Sequence, residues 1–247
     1  MLNHPTLEKL HELRLTGMAK ALGEQMGTAD IGSLSFEERL GLMVDREMTE
    51  RENRRLGIRL KNARLRERAC LEDIDYRHHR GLDKSLMTKL ATCHWIGEHL
   101  NILIEGPTGA GKTWIACALA HKALLDGHTA AYFRLPRLLD ELSVARADGR
   151  YGRIMKALAR ADVIILDDLG LAPLTTEGRR ELLEIMEDRH GLRSTIVTSQ
   201  LPVSKWHETM GDPTLADAIL DRLVHNAYKV SMKGESMRKT RSKLTKT

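Results

Sequence analysis

The residues Gly106-Pro107-Thr108-Gly109-Ala110-Gly111-Lys112-Thr113 spell G-x-x-x-x-G-K-[ST], a spacing whose chemistry is phosphate binding. Glycines let the backbone curl around phosphate oxygens and turn its N–H groups inward, where a helix N-terminus adds partial positive charge. In this pattern the lysine, Lys112, reaches the β- and γ-phosphates and the hydroxyl, Thr113, sits on Mg²⁺. Trp114 follows directly and belongs to the same segment. Four constrained positions recur by chance in roughly 1% of chains of this length, so the match carries weight. Farther on, Val163-Ile164-Ile165-Leu166-Asp167-Asp168 is an apolar run ending in paired acids. A P-loop nucleotidase needs a carboxylate at such a place to hold Mg²⁺. That role falls to Asp167, and Asp168 is then placed to polarise an attacking water. Thr195-Ile196-Val197-Thr198-Ser199-Gln200 ends in three polar side chains, any of which could sense the γ-phosphate. Arg222 closes the amphipathic stretch from Asp217 to Leu223. It is either an arginine finger supplied in trans to a neighbour's nucleotide or half of a surface ion pair with Asp217 or Asp221.

These residues need a frame, and the pattern around them supplies one. Strands are expected at 102–105, 129–134, 163–166, 195–199 and 227–232, with helices near 113–126, 136–147, 151–160, 177–190 and 214–224. Strands separated by helical crossovers form a parallel sheet covered on both faces. Ligands of such sheets bind at the carboxyl ends of the strands, where each of the motifs falls. Residues 1–70 read as all-helical. Leu7, Leu10, Leu13 and Leu15 open one amphipathic segment through Met18 and Leu22, and glycines at 27 and 32 break it. Ser35 and Glu38 have capping-box spacing and start a helix expected to run to about Arg68, with Gly57 as a weak point. The expected organisation is a helical unit over 1–70, a nucleotide-binding unit over 71–232 and a basic tail over 233–247.

The chain has 247 residues and a net charge of +5. Its three cysteines, Cys70, Cys93 and Cys117, are far apart and form no C-x-x-C pair, which argues against a disulfide framework or a zinc site. Glu8 and Glu12 among the first leucines exclude a signal peptide, and no apolar run reaches the length of a membrane span, so a cytoplasmic protein is expected. Positive charge is concentrated in two places: the tail from Lys229 onward, and the stretch from Arg46 to Arg68. Two basic segments suit a polyanion, DNA or RNA first; a solvated helix face with a free tail reads equally well.

Taken in order, the phosphate loop, Asp167-Asp168-Leu169-Gly170, Thr198-Ser199-Gln200-Leu201-Pro202, Asp221-Arg222-Leu223 and Gly234-Glu235-Ser236-Met237-Arg238 resemble the IstB-type ATP-binding proteins of bacterial insertion sequences. They are also similar to DnaC helicase loaders and DnaA-type initiators of the AAA+ superfamily. The resemblance covers nearly the whole chain. It implies an AAA+ ATPase with Mg²⁺ and ATP as cofactors, assembling as a helical or ring-like oligomer on duplex DNA with little sequence preference. Such a protein remodels target DNA and stimulates an IstA-type transposase. The alternatives are a DnaC-like helicase loader and an ATP-gated DNA scaffold in which turnover is secondary. The resemblance further implies that Gln200 lies at or beside the first sensor position and that Arg222 matches the trans finger. Asp168 stands where a glutamate is usual. Tyr76, with Ile74 and Asp75, matches the segment closing over adenine. The initiator-like extra helix implies that Arg134, Arg137, Arg150, Arg153 and Lys156 line a DNA groove. The sequence ends soon after the last expected strand, which implies no helical lid, with Arg238 substituting for the second sensor arginine.

Overall fold

The computed structural model describes residues 4–77, 80–234 and 236–237. Arg238 and most of the basic tail lie outside the described residues. The chain divides into two compact units, Met1–Arg59 and Leu60–Thr247, so residues 60–70 go with the larger unit. The division falls inside a helix.

The smaller unit contains α1 (Pro5–Glu12), α2 (Thr16–Gly27) and most of α3 (Phe36–Ala63). The leucine-rich opening is two helices where one segment was expected, because Arg14 takes φ 59° between them. The capping box forms as its spacing predicts: Glu38 N donates to Ser35 Oγ (3.2 Å) and Ser35 N to Glu38 Oε2 (2.7 Å). Helix α3 runs through Gly57 and ends at Ala63, short of Arg68, where Arg64 turns left-handed at φ 49°. Glu47 on α3 is buried and accepts hydrogen bonds from the backbone N–H of Gly17 (2.6 Å) and Met18 (3.2 Å), serving two orphan donors of α2. Only a glycine fits at position 17, since a Cβ there would lie 2.5 Å from the Glu47 Cα.

The larger unit opens with two short helices, α4 (Lys84–Ala91) and α5 (His94–Gly97), neither long enough to show a period in sequence. The alternating region follows: β1 (Asn101–Glu105), α6 (Lys112–Leu125), β2 (Ala130–Arg134), α7 (Leu135–Asp148), α8 (Tyr151–Arg160), β3 (Val163–Leu169), α9 (Thr176–Arg189), β4 (Ser194–Ser199), α10 (Trp206–Met210), α11 (Pro213–Val224) and β5 (Ala227–Ser231). The five strands form one parallel sheet in the order β2-β3-β4-β1-β5. Strand side chains alternate between faces. Leu103, Ile164, Leu166 and Val197 point into a core with residues of α7 to α11, among them Leu142, Leu182 and Ile219. The opposite parity, with Ile102, Ile165 and Ile196 wholly buried, meets α6. With β1 in the sheet interior and α6 packed on it, the turn between them sits at the sheet's carboxyl edge and is held from below.

Candidate functional site

Four buried residues of β1 deliver the chain to the phosphate loop, which needs three left-handed glycines to turn back: Gly106 (φ 146°), Gly109 (φ 82°) and Gly111 (φ 100°). Two of them are also places where no side chain fits. A Cβ on Gly106 would lie 2.4 Å from the Met232 carbonyl oxygen, and one on Gly109 would lie 2.1 Å from Ser236 Oγ. Pro107 and Thr108 form the exposed crest, Ala110 is buried, and Trp114 is half-buried one residue after Thr113. Lys112 opens α6 and folds across the loop, its Nζ donating to the carbonyls of Gly106 (2.7 Å) and Pro107 (3.0 Å).

Asp167 has no exposure and is the most heavily bonded group of the site. Its Oδ1 accepts from Thr198 Oγ1 (2.5 Å), its Oδ2 from Tyr132 OH (2.6 Å), and Thr113 Oγ1 reaches both oxygens (2.9 and 3.1 Å). Burial first, and then the Asp167 acceptor, push the Tyr132 hydroxyl well above its ordinary value, so it stays a proton donor. An alternating strand would send Asp168 to the opposite face. Instead the register of β3 on β4 shifts between Leu166 and Leu169, and Asp168 turns left-handed at φ 68°. Such bulges re-aim a side chain, and aspartate tolerates this backbone region better than most residues. Asp168 reaches the same cavity as Lys112, where its Oδ2 pairs with Arg134 Nε at 2.8 Å.

The three polar residues ending β4, equivalent in sequence, separate in space. Thr198 bonds to Asp167 and accepts from the Asp168 N–H (3.2 Å). Ser199 donates to the Leu169 carbonyl (2.7 Å). Gln200 alone of the three lines the cavity, with its Oε1 accepting from Thr108 Oγ1 at 2.7 Å. That cavity holds about 600 Å³ beside the loop, enough for a nucleotide-sized ligand. It is lined also by Asp73, Asp75, Arg80 and Met237. The Met237 N–H donates to the Gly109 carbonyl (2.9 Å), laying the end of the described chain over the loop. Tyr76 is not among the lining residues; its ring is 40% exposed beside Lys84. Adjacent Asp75 turns toward the cavity instead.

The remaining predicted residues spread across the unit. Arg134 was expected in a DNA groove, but as the last residue of β2 it is paired in register with Asp167 and its side chain enters the nucleotide cavity. Arg137, Arg153 and Lys156 are exposed on α7 and α8, and Arg150 is exposed but paired with Asp148 (2.6 Å). Arg160 continues the exposed face of α8 one helical turn beyond Lys156 and was not singled out in sequence. Arg222 lies at the amino end of the sheet, where the Asn101 amide donates to its carbonyl (3.1 Å). The phosphate loop is at the other end of the same strand. The ion partner of Arg222 is Glu187 on α9 (2.9 Å), not Asp217 or Asp221, a pairing that spacing along one helix could not reveal.

A glycine cradle that side chains would fill, a lysine across it, and a buried hydroxyl–carboxylate pair fit a nucleoside triphosphate with Mg²⁺. The donors are hard oxygens. Among the described residues no group of three or more His, Cys, Asp or Glu could hold a metal. The fold and this site define a P-loop nucleotide-binding protein with a five-stranded parallel sheet. Solved structures share that fold: DnaI (TM-score 0.58, 20% identity, 67% of this chain and 91% of that one) and the DnaC helicase loader (0.55, 19%, 67% and 97%). So does the replication initiator DnaA bound to AMPPCP and single-stranded DNA (0.57, 15%, 70% and 52%).

The chain belongs to the family described as IstB-like ATP binding protein, matched over residues 8–245. It is 54% identical over 239 residues to an insertion sequence ATP-binding protein of Sinorhizobium fredii, covering 97% of this chain and 98% of the relative. It is 34% identical over 232 residues to the ATP-binding protein of insertion sequence IS21 from Pseudomonas aeruginosa, covering 94% and 86%. Among the described residues no helix is long and apolar enough to cross a membrane.

Proposed function

We propose that this chain is a cytoplasmic Mg²⁺-dependent ATPase that assembles on duplex DNA, remodels a target site and stimulates a partner transposase. The observation that carries the nucleotide half is Asp167, wholly buried yet bonded to Thr113 of the loop and Thr198 of the next strand. A buried carboxylate is costly unless it is hydrogen-bonded or holds a metal, and the donors Asp167 has are the hydroxyls of Thr113, Tyr132 and Thr198. In this reading the loop N–H groups from Gly106 to Thr113 and the Lys112 ammonium bind the β- and γ-phosphates. Thr113 and Asp167 hold Mg²⁺, which when bound neutralises charge on the phosphates. Asp168 takes the proton of the attacking water, and Gln200 positions that water from the β4 side. The Arg134 ion pair holds the Asp168 carboxylate aside until the water-filled site is assembled.

The DNA half rests on the exposed cations of α7 and α8, Arg137, Arg150, Arg153, Lys156 and Arg160, and on membership of a family whose named relatives are insertion-sequence proteins. Phosphate contacts from such a face fix position without reading sequence. Arg222, too far round the sheet to reach its own loop, is the group offered to a neighbour's nucleotide. Sedimentation of the protein with a random-sequence duplex tests the proposal. With Mg²⁺ and AMPPCP, large assemblies form on the DNA, and the Lys112→Ala chain remains small under the same conditions. Equal assembly with and without nucleotide would refute it.

A further inference from the structure

Arg66 lies three residues beyond the end of α3, on a segment to which no nucleotide chemistry has been given. Its neighbours fix the segment against α6: Ala63 and Ala69 are buried, and Cys70 Sγ lies 3.7 Å from His121 Nδ1. The Arg66 guanidinium comes in beside β2 and β3, with Nη1 3.6 Å from Asp167 Oδ2 and 3.5 Å from Tyr132 OH. It lines the same cavity as Lys112, Thr113 and Asp168.

Two comparisons decide what it is for. Charge-assisted hydrogen bonds to carboxylates close to about 2.7–2.9 Å, so Arg66 is drawn to Asp167 by charge and is not bonded to it. Asp167 already accepts from three hydroxyls and does not need a fourth donor. A structural arginine in this same chain looks different. Arg189 is buried, and its guanidinium donates to the carbonyls of Leu158, Ala161 and Ser194. Arg66 instead leaves 44% of its side chain exposed, facing the cavity, with its planar fork of donors unsaturated.

The site's own polarity says which ligand atom lies there. Thr113 and Asp167 are the residues that would hold Mg²⁺, which would neutralise charge on the phosphates. Lys112 approaches from the loop side and Gln200 from β4. A triphosphate seated on the loop would extend past Lys112 toward Thr113 and Asp167, the side on which Arg66 enters the cavity. We infer that Arg66 binds the terminal phosphate of ATP and gives the site its preference for a triphosphate over a diphosphate. On nucleotide binding the guanidinium turns from the Asp167–Tyr132 pair to the γ-phosphate, leaving the carboxylate to the metal.

The inference rests on the cavity being an ATP site, and equilibrium binding separates the two. AMPPCP and ADP, each with Mg²⁺, are titrated into the wild-type, Arg66→Gln, Arg66→Lys and Lys112→Ala chains by competition with a fluorescent nucleotide. Arg66→Gln loses AMPPCP affinity by roughly ten- to a hundredfold, the range for one hydrogen-bonded charge, with ADP affinity changed less than about twofold. Arg66→Lys falls between, because it keeps the charge and loses the fork. The retained ADP affinity is also the check that the variant is folded. An equal loss for both nucleotides, or none for either, overturns the role of Arg66. Failure of the wild-type chain to bind, or undiminished binding by Lys112→Ala, overturns the ATP site itself and the inference with it.

Discussion

Asp167 and Asp168 are adjacent in the chain and sit in different surroundings because the backbone changes between them. Asp167 stays in strand geometry, buried among three hydroxyl donors, whereas Asp168 turns left-handed and reaches the cavity with Arg134. Asp168→Asn keeps the shape and removes the proposed base. We expect phosphate release to fall by roughly a hundredfold or more while AMPPCP affinity is unchanged; parallel loss of both would place Asp168 in binding. Tyr132→Phe takes one donor from the buried carboxylate and leaves Thr113 and Thr198, so nucleotide binding persists and the Mg²⁺ concentration needed for it shifts. The acid pair was legible because its residues are consecutive and end an apolar run. Tyr132 and Arg66 were not, since their partner lies 35 and about a hundred positions away and no spacing rule reaches that far. Arg134 was legible as a cation but not as a neighbour of Asp168, which only the parallel register of β2 on β3 supplies.

Among the elements, the close packing of α2 on α3 is the feature most easily broken. An alanine at position 17 would favour an isolated helix by about 1 kcal/mol. Here its Cβ meets the Glu47 backbone at 2.5 Å, and such overpacking costs roughly 1–3 kcal/mol. Gly17→Ala therefore lowers the denaturation midpoint of the helical unit, read by circular dichroism, and leaves AMPPCP affinity intact; a more stable unit would contradict the contact. The same junction carries a pH dependence. The Arg51 guanidinium, with the N–H groups of Met18 and Gly17, holds the Glu47 carboxyl below its ordinary 4.5. A depressed carboxylate contributes its stability fully above the ordinary value and loses it as pH falls through the lowered one. The unit should weaken in acid below about 4.5, and Glu47→Gln should flatten that dependence. The helices with long apolar periods and all five strands were readable. The breaks at Arg14 and Arg64 were not, because a left-handed arginine leaves no compositional mark. Short α4, α5 and α10 lack the length for a period.

The candidate site lies at one end of the sheet and Arg222 at the other, and that placement supports the proposed assembly. The phosphate loop, Asp167 and Gln200 are at the carboxyl end, while Arg222 is at the amino end beside Asn101. Composition offers a polyanion as a partner only as a class, and DNA remains the proposed one. The exposed cations of α8 give it a surface, and duplex affinity should fall with salt at a logarithmic slope of about −0.9 for each phosphate contacted. Arg153→Ala should reduce that slope by about 1 and weaken all sequences alike; a salt-insensitive, sequence-selective footprint would remove DNA from the account. In the proposed assembly each ATP site is completed between subunits, by Lys112 of one copy and Arg222 of the next. Mixing tests it most directly. Lys112→Ala and Arg222→Ala chains are each measured alone for ATPase on duplex DNA and then combined in equal amounts. Negligible turnover is expected from either alone, and recovered turnover from the mixture, at sites pairing an intact loop with an intact arginine. An Arg222→Ala chain that hydrolyses ATP as wild type does, or a mixture as inactive as its parts, would contradict it.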